Sequence, residues 1–577
     1  MTSKVKRSRW ILGIFCFVLS LCALRLIQIQ IVQGPQLAAE GEAVRTDKSL
    51  VAAKRGAITD ATGVVLADSI LTYDIAANQI NIRSYVHYDE DGEVVGRGPA
   101  EAARQLADLL DMDEAELGGA LVGESTYQYI ARNVDAVTYR KINALNIYGI
   151  EWESVYERTY PNGNVAAPVI GTVNAEGVGS SGLESQYESL LKGTPGEEAF
   201  EISPNGAIMP GGKKTITEPL DGGSLGLTLH ADLQHLVQDL LDARVEKHQA
   251  EWGAIVIQDI STAQVLVMAD SGSTVPDNAN PQPVAAVQYA FEPGSVGKVL
   301  TFAAALEADT ITPTTTFQVP YSLDYPDAGG EITDFHEHEG QTLTATGILA
   351  ESSNTGTVLI GQTVSDEQRY NMFKAFGLGQ STGIELAGES EGLVYDWHNW
   401  VGRDRYVNMF GQAYMMTALQ EASVMATIGN GGVRLDPTLI KSWTNADGTY
   451  GVPEEREPVQ VMSADHSKAL LKMMESVVED EIGTAGTAKV PGYRVGVKTG
   501  TADIVVGNAS GIVSTTAGII PADQPRLAIS VVLYNPKVAY ISSDSSAPLF
   551  GDVALEAVRN LGIPASSQKA DLYPTTP

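Results

Sequence analysis

The sequence predicts an α+β protein in which an N-terminal transmembrane helix precedes two further domains. Three observations support this prediction: an apolar stretch near the N-terminus, strand-like segments with glycine turns over residues 40–220, and helices alternating with strand-like pairs over residues 224–566. The chain has 577 residues, which is too long for one ordinary domain of about 100–200 residues. We therefore expect an anchor followed by at least two folded domains.

The N-terminal apolar stretch is predicted to cross a membrane. Residues 10–24 carry no charge, Arg25 follows, and residues 26–32 are apolar apart from their glutamines. A spanning helix needs about 20 residues, so the predicted anchor, residues 10–32, includes Arg25, whose side chain can extend to the interface. The alternative is a cleaved signal peptide, but no small-x-small cleavage site follows the apolar run.

Basic residues on one side of the anchor predict its orientation. Four of them precede it: Lys4, Lys6, Arg7 and Arg9. Because positive flanks stay inside the cell, residues 1–9 are predicted to be a cytoplasmic tail, and the chain after residue 33 to be extracytoplasmic. The only cysteines, Cys16 and Cys22, lie in the apolar stretch, so neither a disulfide framework nor a cysteine metal site is expected.

Residues 40–220 are predicted to form a mostly-β domain. The strand-like segments are 64–67, 72–77 and 169–173. Pro99 suits the first position of a helix, so Ala100–Leu121 is predicted to form one or two helices. The acidic run Asp89–Glu93 is expected to be a solvated loop, and residues 204–223, rich in proline, glycine and lysine, a connector.

Residues 224–566 are predicted to form an antiparallel sheet flanked by helices. The predicted strands are 225–229, 252–260, 264–269, 512–520 and 526–534. The predicted helices include the amphipathic stretch 231–250 and a closing helix over 549–561. Residues 567–577 are expected to be a frayed tail.

Composition and motifs exclude several classes of function. The net charge of −33 argues against a nucleic-acid partner, because phosphate contacts need lysine and arginine. Neither a Walker-type phosphate loop nor a strand-linked dinucleotide motif is present, so no nucleotide cofactor is predicted. His336-Glu337-His338 lacks a third partner at metal-ligand spacing, so we predict a loop there and no metal site.

The segment Ser295-Val296-Gly297-Lys298 carries a candidate nucleophile and a candidate base. Pro293-Gly294 interrupts the chain before an apolar helical pattern, so Ser295 is predicted at a helix N-terminus, where unpaired N–H groups favour negative charge. Ser295 and Lys298 share a helical face, and a lysine in an apolar cleft can lose its proton and accept that of a serine. Taken alone, such a segment is more often an N-capping serine beside a solvated lysine.

A second motif, Ser352-Ser353-Asn354, follows a helix-like stretch over residues 343–352. Ser352 could relay a proton between a lysine and a leaving amine. Asn354 offers an acceptor and donors to a substrate backbone. The alternative is an ordinary polar loop between helices.

A third motif, Lys498-Thr499-Gly500, lies in a strand-like segment over residues 493–501. Alternation places Thr499 and Thr501 on one face of the strand and Lys498 and Gly500 on the other. The hydroxyls could bind a carboxylate, Lys498 could supply positive charge, and Gly500 lets another element approach closely. An edge strand with a bulge is the alternative for this segment alone, but the ordered trio of motifs predicts acyl transfer through serine.

The three motifs resemble the active-site motifs of class B penicillin-binding proteins. The stretches that carry this resemblance are Glu292–Lys298, Glu351–Asn354, Lys498–Ala502, Gly411-Gln412, Thr417, Gln420 and Asn430–Gly432. The pedestal domain of that family is resembled by Arg55–Asp60, Gly63, Leu66-Ala67, Arg158–Pro161, Gly182–Glu184 and Tyr187. Ala61 and Ala413 depart from the family pattern, which has arginine and glycine there. The resemblance covers nearly the whole chain and is greatest to the cell-division, FtsI-type transpeptidases.

The resemblance implies a fold and a reaction. The implied fold is an elongated, mostly-β pedestal (dimerisation-type) domain over residues 40–220, followed by a penicillin-binding/β-lactamase-like transpeptidase domain over residues 224–566. The implied reaction is D,D-transpeptidation, which cross-links peptidoglycan stem peptides through an acyl-enzyme and is blocked covalently by β-lactams. The resemblance implies neither a metal nor a cofactor.

Residue roles also follow from the resemblance. Ser295 would be the acylated nucleophile, Lys298 its general base, and Ser352 with Lys498 the proton route to the leaving D-alanine. Asn354 is implied to be both a catalytic residue and a substrate-binding residue, and Thr499, Gly500 and Thr501 are implied to bind substrate with it. The oxyanion hole would be formed by the backbone N–H groups of Ser295 and Thr501.

The implied partners are stem peptides, β-lactams, the membrane, a membrane glycosyltransferase and division proteins. Three alternatives stay open at this point: an elongation-type class B transpeptidase, a carboxypeptidase or β-lactamase, and a non-catalytic penicillin sensor or scaffold. A β-lactamase would not need the pedestal region, and no additional glutamate base is identifiable. The intact Ser295, Lys298 and Lys498 argue against lost catalysis.

Overall fold

The structure, a computed structural model of the chain, describes residues 2–37, 41, 46–202, 208–277, 280–454, 456–506, 509–538 and 541–577. It forms two compact units, each discontinuous in sequence. The first comprises residues 1–54, 71–156 and 193–222, and the second comprises residues 55–70, 157–192 and 223–577. Every residue of the three sequence motifs therefore belongs to the second unit.

The elements alternate between strands and helices along most of the chain. The strands are β1 (Thr46–Val51), β2 (Ile58–Thr59), β3 (Val65–Ala77), β4 (Val86–Tyr88), β5 (Val94–Arg97), β6 (Gln128–Val134), β7 (Ile150–Thr159), β8 (Gly196–Ile202), β9 (Ile208–Thr217), β10 (Ser224–Leu227), β11 (Trp252–Asp259), β12 (Val265–Asp270), β13 (Thr316–Val319), β14 (Ser322–Tyr325), β15 (Gly330–Thr333), β16 (Gln341–Thr344), β17 (Val433–Arg434), β18 (Ile440–Thr444), β19 (Tyr450–Gly451), β20 (Val459–Gln460), β21 (Gly496–Val506), β22 (Ala509–Ile520) and β23 (Leu527–Tyr534). The α-helices are α1 (Thr2–Ile27), α2 (Gly98–Leu110), α3 (Glu114–Ala120), α4 (Ala136–Ala144), α5 (Ala167–Ile170), α6 (Gly182–Gln186), α7 (Glu188–Leu191), α8 (Ala231–His248), α9 (Ala285–Gln288), α10 (Lys298–Glu307), α11 (Ala345–Glu351), α12 (Asn354–Gly361), α13 (Asp366–Ala375), α14 (Asp404–Val407), α15 (Ala418–Gly429), α16 (Ala464–Glu479) and α17 (Ser546–Asn560).

The N-terminal helix contains the predicted anchor. α1 continues into a π-helical turn, Gln28–Val32, so that a helical stretch over Val5–Val32 is long and apolar enough to cross a membrane. Arg25 Nη1 donates to Gln28 Oε1 at 2.8 Å, one turn further on. The guanidinium thus has a polar partner on its own helix.

The described part of the first unit contains three groups of antiparallel strands and several helices. β8 pairs with β1 and β9, and residues 73–77 of β3 pair with β6. The predicted helical stretch forms two helices, because Asp111 adopts a left-handed conformation (φ 52°) after α2 and Asp113 caps α3. The predicted acidic loop Asp89–Glu93 is an exposed turn between β4 and β5.

The second unit is centred on a five-stranded antiparallel sheet of order β12-β11-β23-β22-β21. The predicted pairs β11–β12 and β22–β23 are both present. α8 and α17 cover one face of the sheet and α15 covers the other, where Ser530 Oγ donates to Glu421 at 2.6 Å. Coverage of both faces explains why β12 and β23 are apolar and buried almost throughout. The third motif lies on β21, at the edge of this sheet.

Residues of the pedestal-type motifs meet in a buried ion-pair cluster of the second unit. Glu184 accepts from Arg55 Nε at 2.6 Å and from Arg158 Nε at 2.7 Å, and Arg55 also contacts Glu188 at 2.5 Å. Buried charges of this kind need several partners to offset their desolvation. The cluster joins three segments that are distant in sequence.

Three local predictions were wrong. Residues 169–173, predicted as a strand, lie partly in α5. Pro168 stands in the first turn of this helix, a position that proline favours, and the helix ends at Gly171, whose φ is 80°. Half of the predicted connector forms β9, because pairing with β8 overrides its glycine-rich composition, while residues 204–207 lie outside the described residues. Leu343, expected in a helix, belongs to β16.

The expectation of a frayed tail is also wrong. Thr344 N donates to Thr575 O at 3.0 Å, and Lys472 Nζ contacts Asp571 at 2.8 Å. Tyr573 packs against the main core of the second unit. The composition of the tail is mostly polar, but Tyr573 packs against the core and the backbone carbonyls of Pro574 and Thr575 accept hydrogen bonds.

Candidate active site

Ser295 lies in a tight turn that brings it next to the edge strand. The turn, a 3₁₀ segment over Gly294–Gly297, leads directly into α10, as the sequence predicts. Gly294 has φ 54°, and a Cβ on it would lie 2.6 Å from Thr501 O. Only glycine fits this position, so the turn can rest against the backbone of β21. Ser295 itself is partly exposed.

Lys298, in the first turn of α10, is fully buried. Its Nζ donates to Ser352 O and lies 3.2 Å from Ser352 Oγ. Burial lowers the pKa of Lys298 to about 7, although the negative charges of Asp334 and Glu351 oppose this shift. A lysine with this pKa can act as a base near neutral pH. Among the described residues, no hydrogen bond joins Ser295 Oγ to this amine.

Lys498 reaches the same hydroxyl from the edge strand. Its Nζ lies 2.8 Å from Ser352 Oγ and 3.0 Å from Thr499 O. Burial holds the pKa of Lys498 well below its usual range, and the charge of Lys298 lowers it further. Two buried amines therefore converge on one serine hydroxyl, an arrangement that can move a proton between them.

The second motif forms the junction of two helices. Ser352 ends α11 in a left-handed conformation with φ 65°, and Ser353 caps α12 by accepting from Gly356 N at 2.9 Å. Asn354 is the first residue of α12, and its Nδ2 donates to Thr333 O at 3.1 Å. The junction turns Ser352 towards the two lysines.

Asp334, which the sequence patterns did not single out, holds this junction. Its carboxylate accepts from Ser353 Oγ at 2.8 Å, Asn354 N at 2.5 Å, Thr355 N at 2.9 Å and Thr355 Oγ1 at 3.0 Å. His338, part of the dismissed His336-Glu337-His338 segment, contacts the same carboxylate at 3.1 Å. The described residues contain no cluster of three or more potential metal ligands. In the sequence, Asp334 is distinguished only by following the short strand β15, which does not indicate a role at the site.

The third motif runs along β21, paired with β22 in the register Lys498↔Ala517 and Gly500↔Thr515. A Cβ on Gly500 would clash with Pro293 O, so the predicted close approach of another element is confirmed. Both threonine hydroxyls have partners that sequence analysis did not identify. Thr499 Oγ1 lies 2.8 Å from Thr484 Oγ1, and Thr501 Oγ1 lies 2.9 Å from Ser542 Oγ.

The structure thus brings all three motifs into one site. A partly exposed serine, two buried amines sharing a second serine, and a strand edge with two hydroxyls lie around the turn at Gly294. Such a set can attack a carbonyl, manage the proton of the nucleophile and bind an extended peptide along the strand.

The chain is similar to known penicillin-binding proteins over nearly its whole length. Residues 253–555 match the family model of the penicillin binding protein transpeptidase domain, and residues 50–227 that of the penicillin-binding protein dimerisation domain. The chain is 31% identical to penicillin-binding protein PbpB of Mycolicibacterium smegmatis, covering 95% of this chain and 89% of that protein. It is also 31% identical to peptidoglycan D,D-transpeptidase FtsI of Escherichia coli K12, covering 95% and 91%, respectively. The crystal structure of penicillin-binding protein 3 from Mycobacterium tuberculosis, complexed with aztreonam, superimposes with a TM-score of 0.69 at 27% identity, covering 91% of this chain and 100% of that chain.

Proposed function

The chain belongs to the penicillin-binding protein transpeptidase family, and from that premise we propose how its site works. It is a serine-type peptidoglycan D,D-transpeptidase of the FtsI type that binds β-lactams. The observation that carries the proposed mechanism is the convergence of Lys298 and Lys498 on Ser352 beside the Ser295 turn.

In the acylation step, Ser295 Oγ attacks the carbonyl carbon of the penultimate D-alanine of the donor peptide. Neutral Lys298 accepts the hydroxyl proton, in keeping with its lowered pKa of about 7. The backbone N–H groups of Ser295 and Thr501 hold the developing oxyanion; each such donor contributes on the order of 3 kcal/mol to barrier lowering. The close packing of Gly294 on Thr501 supports this pairing.

Collapse of the intermediate breaks the peptide C–N bond and leaves Ser295 esterified. The leaving amine of D-alanine takes its proton through Ser352, which lies within hydrogen-bond distance of both lysines. The acceptor amine of a second stem peptide then attacks the ester, and the proton movements reverse. The net result is one new cross-link and one released D-alanine.

Substrate binding is assigned to the second and third motifs. Asn354 presents its side-chain oxygen to the donor backbone while its Nδ2 is held by Thr333 O at 3.1 Å. Thr499, Gly500 and Thr501 form the strand edge along which the donor peptide pairs, and the two hydroxyls receive its terminal carboxylate. A carboxylate bound there would also favour the protonated form of Lys498.

Fluorescent penicillin tests the nucleophile. We expect covalent labelling of the full chain in detergent, and no labelling of Ser295→Ala. Lys298→Ala should slow labelling by about 10²- to 10⁴-fold, the usual contribution of a general base, and Lys298→Arg should not restore it because arginine stays protonated. Ser543→Ala is a matched control, since that serine side chain makes no hydrogen bond to a described residue and should label normally. Stoichiometric labelling of Ser295→Ala would refute the assignment.

We also propose the topology and cellular role. Among the described residues, one helix is long and apolar enough to cross a membrane. The basic residues before it favour an orientation with residues 1–9 in the cytoplasm and the catalytic region outside. A phosphatase reporter that works only outside the cytoplasm should be active when fused after Gly34, and a mature N-terminus beyond residue 25 would overturn the anchor.

A septal role with a membrane glycosyltransferase and division proteins predicts that a fluorescent fusion gathers at the division site; uniform side-wall fluorescence would favour the elongation-type alternative.

A further inference from the structure

Residues 571–575 form a short segment, here called the strap, that contacts two helices of the second unit. At one end, Lys472 of α16 contacts Asp571 at 2.8 Å and its Nζ lies 4.2 Å from the centroid of the Tyr573 ring. At the other end, Thr575 Oγ1 donates to Asp480, the C-cap residue of α16, at 3.2 Å. The strap therefore follows α16 from its middle to its C-terminus.

The strap also binds the start of α11. Thr344, the N-cap of α11, donates from its backbone N to Thr575 O at 3.0 Å and from its hydroxyl to Pro574 O at 2.7 Å. Gly347 lies in the first turn of this helix, and a Cβ there would clash with Thr575 O. The glycine is thus required for the strap to lie so close to the helix.

Both helices held by the strap lead to the active site. α11 has seven residues, about 10 Å at 1.5 Å per residue, and Ser352 caps its far end. After α16, Thr484 donates from its backbone N to Ala350 O of α11 at 3.2 Å, and its hydroxyl lies 2.8 Å from Thr499 Oγ1. A displacement of either helix would move a residue of the second or third motif.

We propose that the strap is a positioning element of the active site: by joining Thr344 to the end of α16, it fixes Ser352 where both lysines reach its hydroxyl. The strap touches none of the reacting groups and acts through α11. Because a helix of two turns moves as a rigid body, release of its N-terminus shifts Ser352 relative to Lys298 and Lys498. This inference rests on the proposed acyl-transfer function.

The test compares four proteins in detergent: the intact chain, a chain lacking only residues 571–577, Gly347→Ala in the intact chain, and the truncated chain with Gly347→Ala. The measured quantity is the limiting rate of acylation by fluorescent penicillin, at a temperature at which circular dichroism shows every chain folded. We expect the truncation to slow this rate by about tenfold, since misplacement by 1 Å far from the chemistry can cost about 10²-fold. Thr576→Ala is the control, because Thr576 is exposed and, among the described residues, makes no hydrogen bond to either helix.

Gly347→Ala tests the mechanism of the strap. The added methyl would expel Thr575 O in the intact chain, but in the truncated chain its nearest neighbour would be the Leu343 side chain, at 3.3 Å. We therefore expect Gly347→Ala to slow acylation of the intact chain by about as much as truncation does, and to add little in the truncated chain. Truncation without effect, or slowing that is multiplicative in the double variant, would overturn the proposal. Failure of the intact chain to be acylated at all would instead refute the proposed function.

Discussion

The hydroxyl oxygen of Ser352 lies 2.8 Å from Nζ of Lys498. The same oxygen lies 3.2 Å from Nζ of Lys298, and both amines are fully buried. Burial lowers the pKa of each lysine, and the charge on Lys298 lowers that of Lys498 further. We therefore expect the two amines to titrate as a pair around the shared serine, not as two independent cations.

The rate of acylation is expected to rise with pH through about 7. In the proposed mechanism the active form of Lys298 is the neutral amine. Because burial lowers the pKa of Lys298 to about 7, the fraction able to accept the Ser295 proton falls as the pH drops below that value. The measurement is the second-order rate constant for penicillin acylation from about pH 5.5 to about pH 9. A rate that is constant or decreasing over this range would contradict the role of Lys298 as base.

Asp334→Asn is expected to weaken both stability and acylation. The carboxylate accepts from Ser353, Asn354 N and Thr355, and an amide at this position would direct its NH₂ group towards these donors. Hydrogen bonds to a charged group contribute about 1.5–3 kcal/mol each, so we expect the free energy of unfolding to fall by at least about 2 kcal/mol. Urea denaturation and penicillin acylation measure the two effects.

The matched control for this change is Asp324→Asn. Asp324 lies on the neighbouring strand β14 and is exposed. Its substitution should leave both unfolding and acylation unchanged. Equal behaviour of the two variants would show that Asp334 does not hold the second motif.

The site was largely predictable because its chemistry lies in short contiguous motifs. Ser295 precedes α10, Gly500 permits close packing, and the alternation of β21 separates Lys498 from Thr499, all as local periodicity indicates. Two strands of the five-stranded sheet, β12 and β23, were predictable because strands buried on both faces are mostly apolar, as these two are.

The supporting residues could not be predicted from sequence patterns. Asp334, Thr484 and Ser542 meet the motifs only through tertiary contacts. Each lies between 15 and 41 residues along the sequence from the motif residue that it contacts. Polar side chains of this type are common in loops, so nothing local distinguishes them. The docking of residues 571–575 was missed for the same reason, because its contacts with α11 use backbone carbonyls, which every sequence possesses.

Ala413→Gly is expected to stabilise the protein. Ala413 has φ 57°, a left-handed conformation that costs a non-glycine residue about 1–2 kcal/mol. Glycine would remove this strain but would increase the entropy of the unfolded chain, at a cost of about 0.4–1 kcal/mol. The net gain should be about 0.5–1 kcal/mol in the free energy of unfolding, measured by denaturation.

Acylation should change little in this variant, because the backbone N of residue 413 keeps its hydrogen bond to Glu292 Oε1 at 2.9 Å. Ala446→Gly is the control: Ala446 lies in an exposed turn and its φ is not positive, so glycine there should be neutral or destabilising. A loss of stability in Ala413→Gly would show that the strain is absent in solution.

Ser542→Ala is expected to strengthen the binding of carboxylate-bearing β-lactams. Ser542 Oγ donates to Gly500 O, and a hydroxyl has one proton, so in its 2.9 Å contact with Thr501 the threonine must be the donor. The proton of Thr501 is therefore directed towards Ser542, and a ligand carboxylate must compete for it. Removing this competitor should raise acylation by up to about fivefold, equivalent to one hydrogen bond of about 1 kcal/mol. An analogue whose carboxylate is amidated should gain much less, and Ser543→Ala should behave as the unaltered chain. A loss of acylation for acid and amide alike would show that Ser542 instead supports the backbone of β21.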